Sequence, residues 1–303
     1  MSVLSTKSLI LKYSNTSDYL HQLTDEELRR LHDYLNTIWL DIKAFCDSHG
    51  LTVMLAYGSA LGAFRHKGFI PWDDDIDVFM PKDDYMVFLE SFPKEYGEKY
   101  YVTSPLIGGY TTCLFGKVID KRSKIVSVDS QNNDYCGAFV DIFPLENMPR
   151  GRFHRWCLKY LSYTLIYIFG CILMFQNKSS FYKTFMTSKP DIKFNYYLRR
   201  SLGAFFSFVS LEKWGLLYDS LVSYKKDTGL MHAPTGDYKW LPRRKDWYLP
   251  VGFEEYEKES SPVPGNITEY LKAEFGPDYM TLPSVDKRWR HPIRYIELPN
   301  NSK

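Results

Sequence analysis

AYGSALGAFRHKGFIPWDDDIDV, residues 56–78, is the stretch from which the fold is read. The run Leu51–Ala56 that leads into it is short, apolar and bounded by Gly50 and Gly58, which predicts a buried strand. A short helix is expected from Ala60, and Ile76 to Met80 reads as a second strand entered through a cluster of acids. Gly58 lets the backbone approach a phosphate closely, Ser59 offers a hydroxyl, and the unbonded N–H groups opening the next helix attract anions. Asp75 and Asp77 stand two apart, so both side chains leave one face of the strand while Ile76 and Val78 point into the core.

Four acids at positions 73, 74, 75 and 77 repel one another unless a cation neutralises them, and their hard oxygens favour Mg²⁺ or Mn²⁺. A solvated loop would explain the same charges, but Trp72, Ile76, Val78 and Phe79 anchor the stretch in apolar surroundings. A third metal-binding carboxylate is expected from another strand. Asp141 fits because it interrupts the apolar run Phe-Val-Asp-Ile-Phe, although a hydrogen-bonded acceptor or helix cap would look the same. An EF-hand loop fails on two positions: Val78 stands where glycine is required and Asp84 where glutamate is required. The DxD metal site of a glycosyltransferase acting on a nucleotide sugar remains open, while the Gly-Ser turn before the acids favours nucleotidyl-type transfer.

Outward from this stretch, Thr24 and Glu27 form a capping box, and Leu28, Leu31, Leu35, Ile38, Ile42 and Phe45 recur at helical spacing until Gly50. A helix is expected over 25–49, another over 82–91, and strands over 111–119, 123–128 and 137–143. Strands mixed with helices without a regular βαβ rhythm predict an α+β fold. Three units are expected: a catalytic core over 1–150, a basic, aromatic and mainly helical segment over 151–227, and a segment over 228–303 that completes the core, with a short helix near 266–275.

The 303 residues are 45% hydrophobic and 24% charged, which excludes a disordered chain, and the net charge of +2 predicts no affinity for nucleic acid. That average hides an asymmetry: residues 150–225 hold 12 Lys and Arg against Asp191, Glu212 and Asp219, or +9, leaving −7 elsewhere. Within this segment residues 160–175 carry no charge and are flanked by cations, as are 202–211 behind Arg199 and Arg200. This composition suits helices lying on an anionic membrane surface, and equally two core helices with solvated basic ends. Five cysteines without a CxxC pair suggest neither a zinc ribbon nor a disulfide framework, and residues 1–15 lack the apolar core of a secretory signal. The expected location is cytoplasmic, at most peripheral on the inner membrane face.

The run 57–85, YGSALGAFRHKGFIPWDDDIDVFMPKDDY, together with FVDIFPLE at 139–146 and FGPDYMTLP at 275–283, closely resembles the LicD family. The resemblance implies a polymerase-β-like nucleotidyltransferase core, a mixed sheet with flanking helices. It further implies transfer of a phospho-substituent, typically phosphocholine, from a CDP-linked donor to a sugar of a cell-surface glycan or lipid-linked glycan. The more distant fukutin relatives use a CDP-alditol. Carried onto this chain, it makes Gly58 and Ser59 the nucleotide turn, Asp75 and Asp77 metal ligands and Asp141 the third acid. In such a reaction Arg65, Lys67 and Lys117 are the natural cations for the diphosphate, and Asp73 or Asp74, with Asp73 favoured, is the general base or else a group that orients the metal ligands. Trp240, Trp247 and Tyr248 are candidates for a cage around a quaternary ammonium. His66 and His291 read as loop residues. The alternatives to this transfer are the glycosyltransferase above and a non-catalytic, membrane-associated binding protein.

Overall fold

The computed structural model describes residues 20–131, 135–236, 240–285, 288 and 290–299; residues 1–15, read above for a leader, lie outside them. Helix α1 (Asp25–His49) begins at the expected capping box, with Glu27 N–H donating to Thr24 Oγ1 and Thr24 N–H to the Glu27 carboxylate, and it stops at Gly50 in the left-handed conformation. Its Leu28, Leu31, Leu35, Ile38, Trp39 and Ile42 are all buried in the main core.

β1 (Met54–Leu55) is shorter than the apolar run suggested, because helix α2 (Tyr57–His66) starts at Tyr57 rather than Ala60. Tyr57 N–H is satisfied by the Tyr270 hydroxyl, so the first turn is held from outside its own helix. β2 (Ile76–Pro81) and α3 (Lys82–Tyr96) follow, then β3 (Tyr100–Thr103), β4 (Gly116–Asp120), β5 (Lys124–Ser127) and β6 (Phe139–Asn147). The expected strand over 111–119 therefore exists only from Gly116, and β3 was not anticipated.

The sheet runs β1-β2-β6-β4-β3, with β2 and β6 parallel and the other neighbours antiparallel. The far end of β6 pairs with β7 (Leu230–His232), and β7 with β8 (Arg243–Arg244). The architecture is α+β, as expected. One register matters most: Asp77 on β2 lies opposite Asp141 on β6, and Asp141 lies opposite Lys117 on β4. Successive strands turn equivalent positions to the same face, so these three form a single row across the sheet.

Between β6 and β7 stand four helices, α4 (Arg152–Gln176), α5 (Ser180–Thr187), α6 (Pro190–Phe206) and α7 (Leu211–Val222). Gly203 of α6 allows close approach to α4: a Cβ there would sit 2.0 Å from the Cys171 carbonyl oxygen. The C-terminal part returns to the core. A hairpin of β9 (Gly252–Tyr256) and β10 (Glu259–Val263) reaches α1 where Trp39 Nε1–H donates to Ser261 Oγ, helix α8 (Ile267–Phe275) brings Tyr270 to α2, and β11 (Ile293–Glu297) pairs with β5.

Candidate functional site

Asp73, Asp74, Asp75, Asp141, Lys117 and His291 are among the residues that line a cavity of about 520 Å³, whereas the expected ligand Asp77 is not in its lining. Asp75 precedes β2 and Asp77 lies within it, with Ile76 and Val78 fully buried between and after them, so the alternation inferred from spacing is the one observed. Asp141 Oδ1 lies 2.6 Å from Lys117 Nζ, and that ammonium sits 3.3 Å from the centroid of the Phe139 ring. Lys117 is 16% exposed and Asp141 13%, so water screens their attraction little. Burial lowers the Lys117 pKa, but Asp141 and the more distant acids outweigh it and leave the ammonium more firmly protonated than usual.

The carboxylates disturb one another as the sequence implied. Burial, reinforced by Asp75 and then Asp141, holds Asp77 well above the ordinary carboxylate range. Burial also raises Asp73, helped by Asp75 and Asp74. Five carboxylates, Asp73, Asp74, Asp75, Asp77 and Asp141, against the Lys117 ammonium form an oxygen-rich donor set suited to a hard divalent cation. Asp141 Oδ1 is itself engaged by the Lys117 ammonium. By donor chemistry these residues suit a hard divalent cation, but among the described residues the group whose ligand atoms lie within 4.8 Å of one another is Asp74, Asp75 and His291, not the expected Asp75, Asp77 and Asp141.

Gly58 and Ser59 occupy the first turn of α2, beside the acids. A Cβ on Gly58 would lie 2.7 Å from Asp73 Oδ2, so what approaches this glycine is the Asp73 carboxylate. Ser59 Oγ accepts the Asp77 N–H at 3.0 Å, tying the helix start to the acid strand. Tyr57, just before them, is held at φ +41°, a strained value for a residue with a Cβ.

Arg65 and Lys67 are not brought to the cavity wall. Arg65 Nη1 donates to the Tyr279 carbonyl at 2.7 Å, anchoring the segment after α8, and Lys67 Nζ pairs with Glu254 on β9 at 2.9 Å while 51% exposed. Of the three expected cations, Lys117 is the one that lines the cavity. The aromatic candidates are placed elsewhere too. Trp240 is buried beside His232, and Tyr248 is in the core between Phe79 and Tyr270. The rings that do line the cavity are Tyr110, Phe115, Tyr135 and Phe139, with Tyr110 and Tyr135 stacked at 4.6 Å.

Two histidines hold the acid loop. His32 Nε2–H donates to the Asp73 carbonyl at 2.7 Å and its ring stacks on Phe69; burial pushes its pKa down. His291, expected to be a plain loop residue, clasps Asp74: its backbone N–H donates to Oδ2 at 2.7 Å and Nδ1 lies 2.9 Å from Oδ1. Nδ1 is also 3.8 Å from Asp75 Oδ2, so Asp74, Asp75 and His291 form one group of potential ligands. Nothing in local spacing links residue 291 to residue 74; β11 pairing with β5 and Arg290 donating to the Trp72 and Leu23 carbonyls bring them together.

This arrangement spans the part of the chain that a family model matches: residues 50–162 fit the LicD/FKTN/FKRP nucleotidyltransferase domain. Residues 50–162 carry a LicD-family domain. The chain is also 27% identical over 254 residues to the lipopolysaccharide cholinephosphotransferase LicD of Haemophilus influenzae, covering 83% of this chain and 90% of that protein. The LicD domain contains Gly58, Ser59, all the clustered acids, Lys117 and Asp141, whereas His291 lies outside it.

Proposed function

We propose that this chain is a metal-dependent phosphotransferase that moves phosphocholine from a CDP-linked donor to a sugar hydroxyl of a cell-surface glycan precursor, releasing CMP, and that its core is a nucleotidyltransferase. The observation that carries the reading is the row Asp77, Asp141 and Lys117 across three strands, with Asp75 and Asp73 beside it in the cavity lining. Similarity to a protein named for cholinephosphate transfer to lipopolysaccharide supports the transferred group and the acceptor class.

Asp75, Asp77 and Asp141 would hold Mg²⁺ or Mn²⁺. When bound, the ion offsets charge on the diphosphate and on the leaving phosphate. The chain's own groups do the rest. Lys117, kept protonated by Asp141, supplies a fixed positive charge at the cavity wall for phosphate oxygens. Asp73, its pKa raised by burial and by its neighbouring acids, accepts the proton of the acceptor hydroxyl as that oxygen attacks the β-phosphorus. The bond from the β-phosphorus to the bridging oxygen breaks, and CMP leaves with the bridging electrons. Gly58 leaves room for the Asp73 carboxylate, while His32 and His291 fix the loop that carries the acids. Tyr110, Phe115 and Tyr135 are the lining rings available to a trimethylammonium group, since the Lys117 ammonium already sits over Phe139.

The test is to incubate the purified chain with Mg²⁺ and CDP-choline, and separately with nucleotide sugars, scoring CMP release and donor hydrolysis. CMP from CDP-choline, abolished by EDTA, is expected. Hydrolysis of nucleotide sugars alone would replace this reading with the glycosyltransferase one.

A further inference from the structure

The helical segment α4 to α7 leaves an apolar surface that the fold does not cover. On α4, Phe153, Trp156 and Tyr160 recur at helical spacing on one stripe, with Phe153 77% and Trp156 56% exposed. Their rings form a continuous ridge: Phe153 and Trp156 lie 6.0 Å apart, Trp156 and Tyr160 4.9 Å. On α6 and just beyond it, Phe194, Leu198, Phe205 and Phe208 follow the same periodicity, with Phe194, Phe205 and Phe208 73%, 70% and 78% exposed. Isolated exposed apolar residues are ordinary, but two ordered stripes on neighbouring helices are an interaction surface.

The chemistry around the stripes identifies what they meet. Arg152, Lys189, Lys193 and Lys213 are exposed on or at the ends of these helices, and residues 150–225 carry +9. Trp and Tyr mixed with Phe, ringed by cations, matches the boundary between acyl chains and anionic headgroups. Arg199 and Arg200, which flank the second apolar cluster in sequence, are not part of that ring. Arg199 is 7% exposed and packs over Tyr167, and Arg200 donates to the carbonyls of Met174 and Asn177.

α4 is long and apolar enough to cross a membrane, but its later residues are committed to the fold: Leu165, Phe169, Cys171, Ile172 and Met174 are buried, and Gly203 packs against Cys171. The exposed rings come from 153–161, ahead of most of the uncharged run over 160–175. We propose that this chain docks peripherally on an anionic bilayer, inserting the Phe153–Trp156–Tyr160 ridge and the Phe194–Phe208 stripe at headgroup depth, with the surrounding cations on lipid phosphates. The proposal is independent of which donor the active site uses.

The test is co-sedimentation of the full chain with vesicles of phosphatidylcholine alone or containing about 30% phosphatidylglycerol. Binding is expected to the anionic vesicles, to weaken with added salt, and to fall by about tenfold or more in Phe205→Ser with Phe208→Ser at unchanged circular dichroism. Brominated phosphatidylglycerol should quench tryptophan fluorescence in the parent and much less in Trp156→Phe. Equal partitioning of parent and double variant, or quenching that persists without Trp156, overturns the proposal. So does a stable dimer that the double variant dissociates and that does not bind vesicles, since the surface would then meet a second copy of the chain.

Discussion

Replacing Asp77 by asparagine should make the metal-free protein more stable while removing activity. Neighbouring strands lie about 4.8 Å apart, so two carboxylates facing across the β2–β6 register repel by about 3 kcal/mol at an effective dielectric constant near 20. The protein relieves this by holding a proton on Asp77, whose pKa is raised by burial, Asp75 and Asp141. Asp77→Asn removes this repulsion, and a gain of about 2–3 kcal/mol follows, or roughly 3–5 °C in Tm for a chain of this size.

The sign with pH is fixed by the direction of the shift. The folded protein retains a proton that the unfolded chain releases, so the parent loses stability as pH rises above the ordinary carboxylate range. The variant does not share that loss. Its advantage should therefore be absent near about pH 4 and largest near about pH 8, read by thermal melts in EDTA. Mg²⁺ should stabilise the parent by about 2.7 kcal/mol at a hundredfold excess over Kd, raising its Tm, and stabilise the variant far less. An advantage of equal size at both pH values would refute the electrostatic account, because it would then be packing. Normal CMP formation by the variant would refute the metal assignment.

Lys117→Met should cost about 3–5 kcal/mol in urea unfolding, since it leaves Asp141 without its cation in a poorly screened site. Combining it with Asp141→Asn should recover much of that loss in a double-mutant cycle. Gly58→Ala places a methyl group 2.7 Å from Asp73 Oδ2, so turnover should fall about tenfold to a hundredfold through misplacement of that carboxylate, read as kcat on the phosphotransfer substrates. Lys67→Ala breaks only a largely exposed pair with Glu254, so stability should change by less than about 1 kcal/mol and kcat/KM should hold. A large fall in kcat/KM would return Lys67 to the donor diphosphate.

The elements that a reader could find in the sequence are those whose signal is local. The capping box at Thr24 and the leucine spacing after it mark α1 to the residue, and the alternation Asp75-Ile76-Asp77-Val78 marks the face of β2. Asp141 was legible because a charge inside an apolar run needs a partner, although its opposition to both Asp77 and Lys117 could be known only from strand order. The β9–β10 hairpin was hidden because its turn uses Glu257 and Lys258 at positive φ, where asparagine or glycine would have signalled it. Nearness in sequence misled for Arg65 and Lys67: α2 ends in a left-handed turn at Lys67, and both side chains serve the C-terminal part. Arg199 and Arg200 look like membrane cations by composition, and only packing shows that they brace α4 and α6.

The clasp of His291 on Asp74, together with the pairing of β11 with β5, also fixes when the site can be assembled. During synthesis the ribosome releases the acid loop more than two hundred residues before the segment that latches it. A nascent chain that already displays every aspartate still lacks the geometry that holds them. Competence to bind a donor thus arrives with the last strand, and polypeptides arrested short of it should be inert bystanders instead of unregulated enzymes.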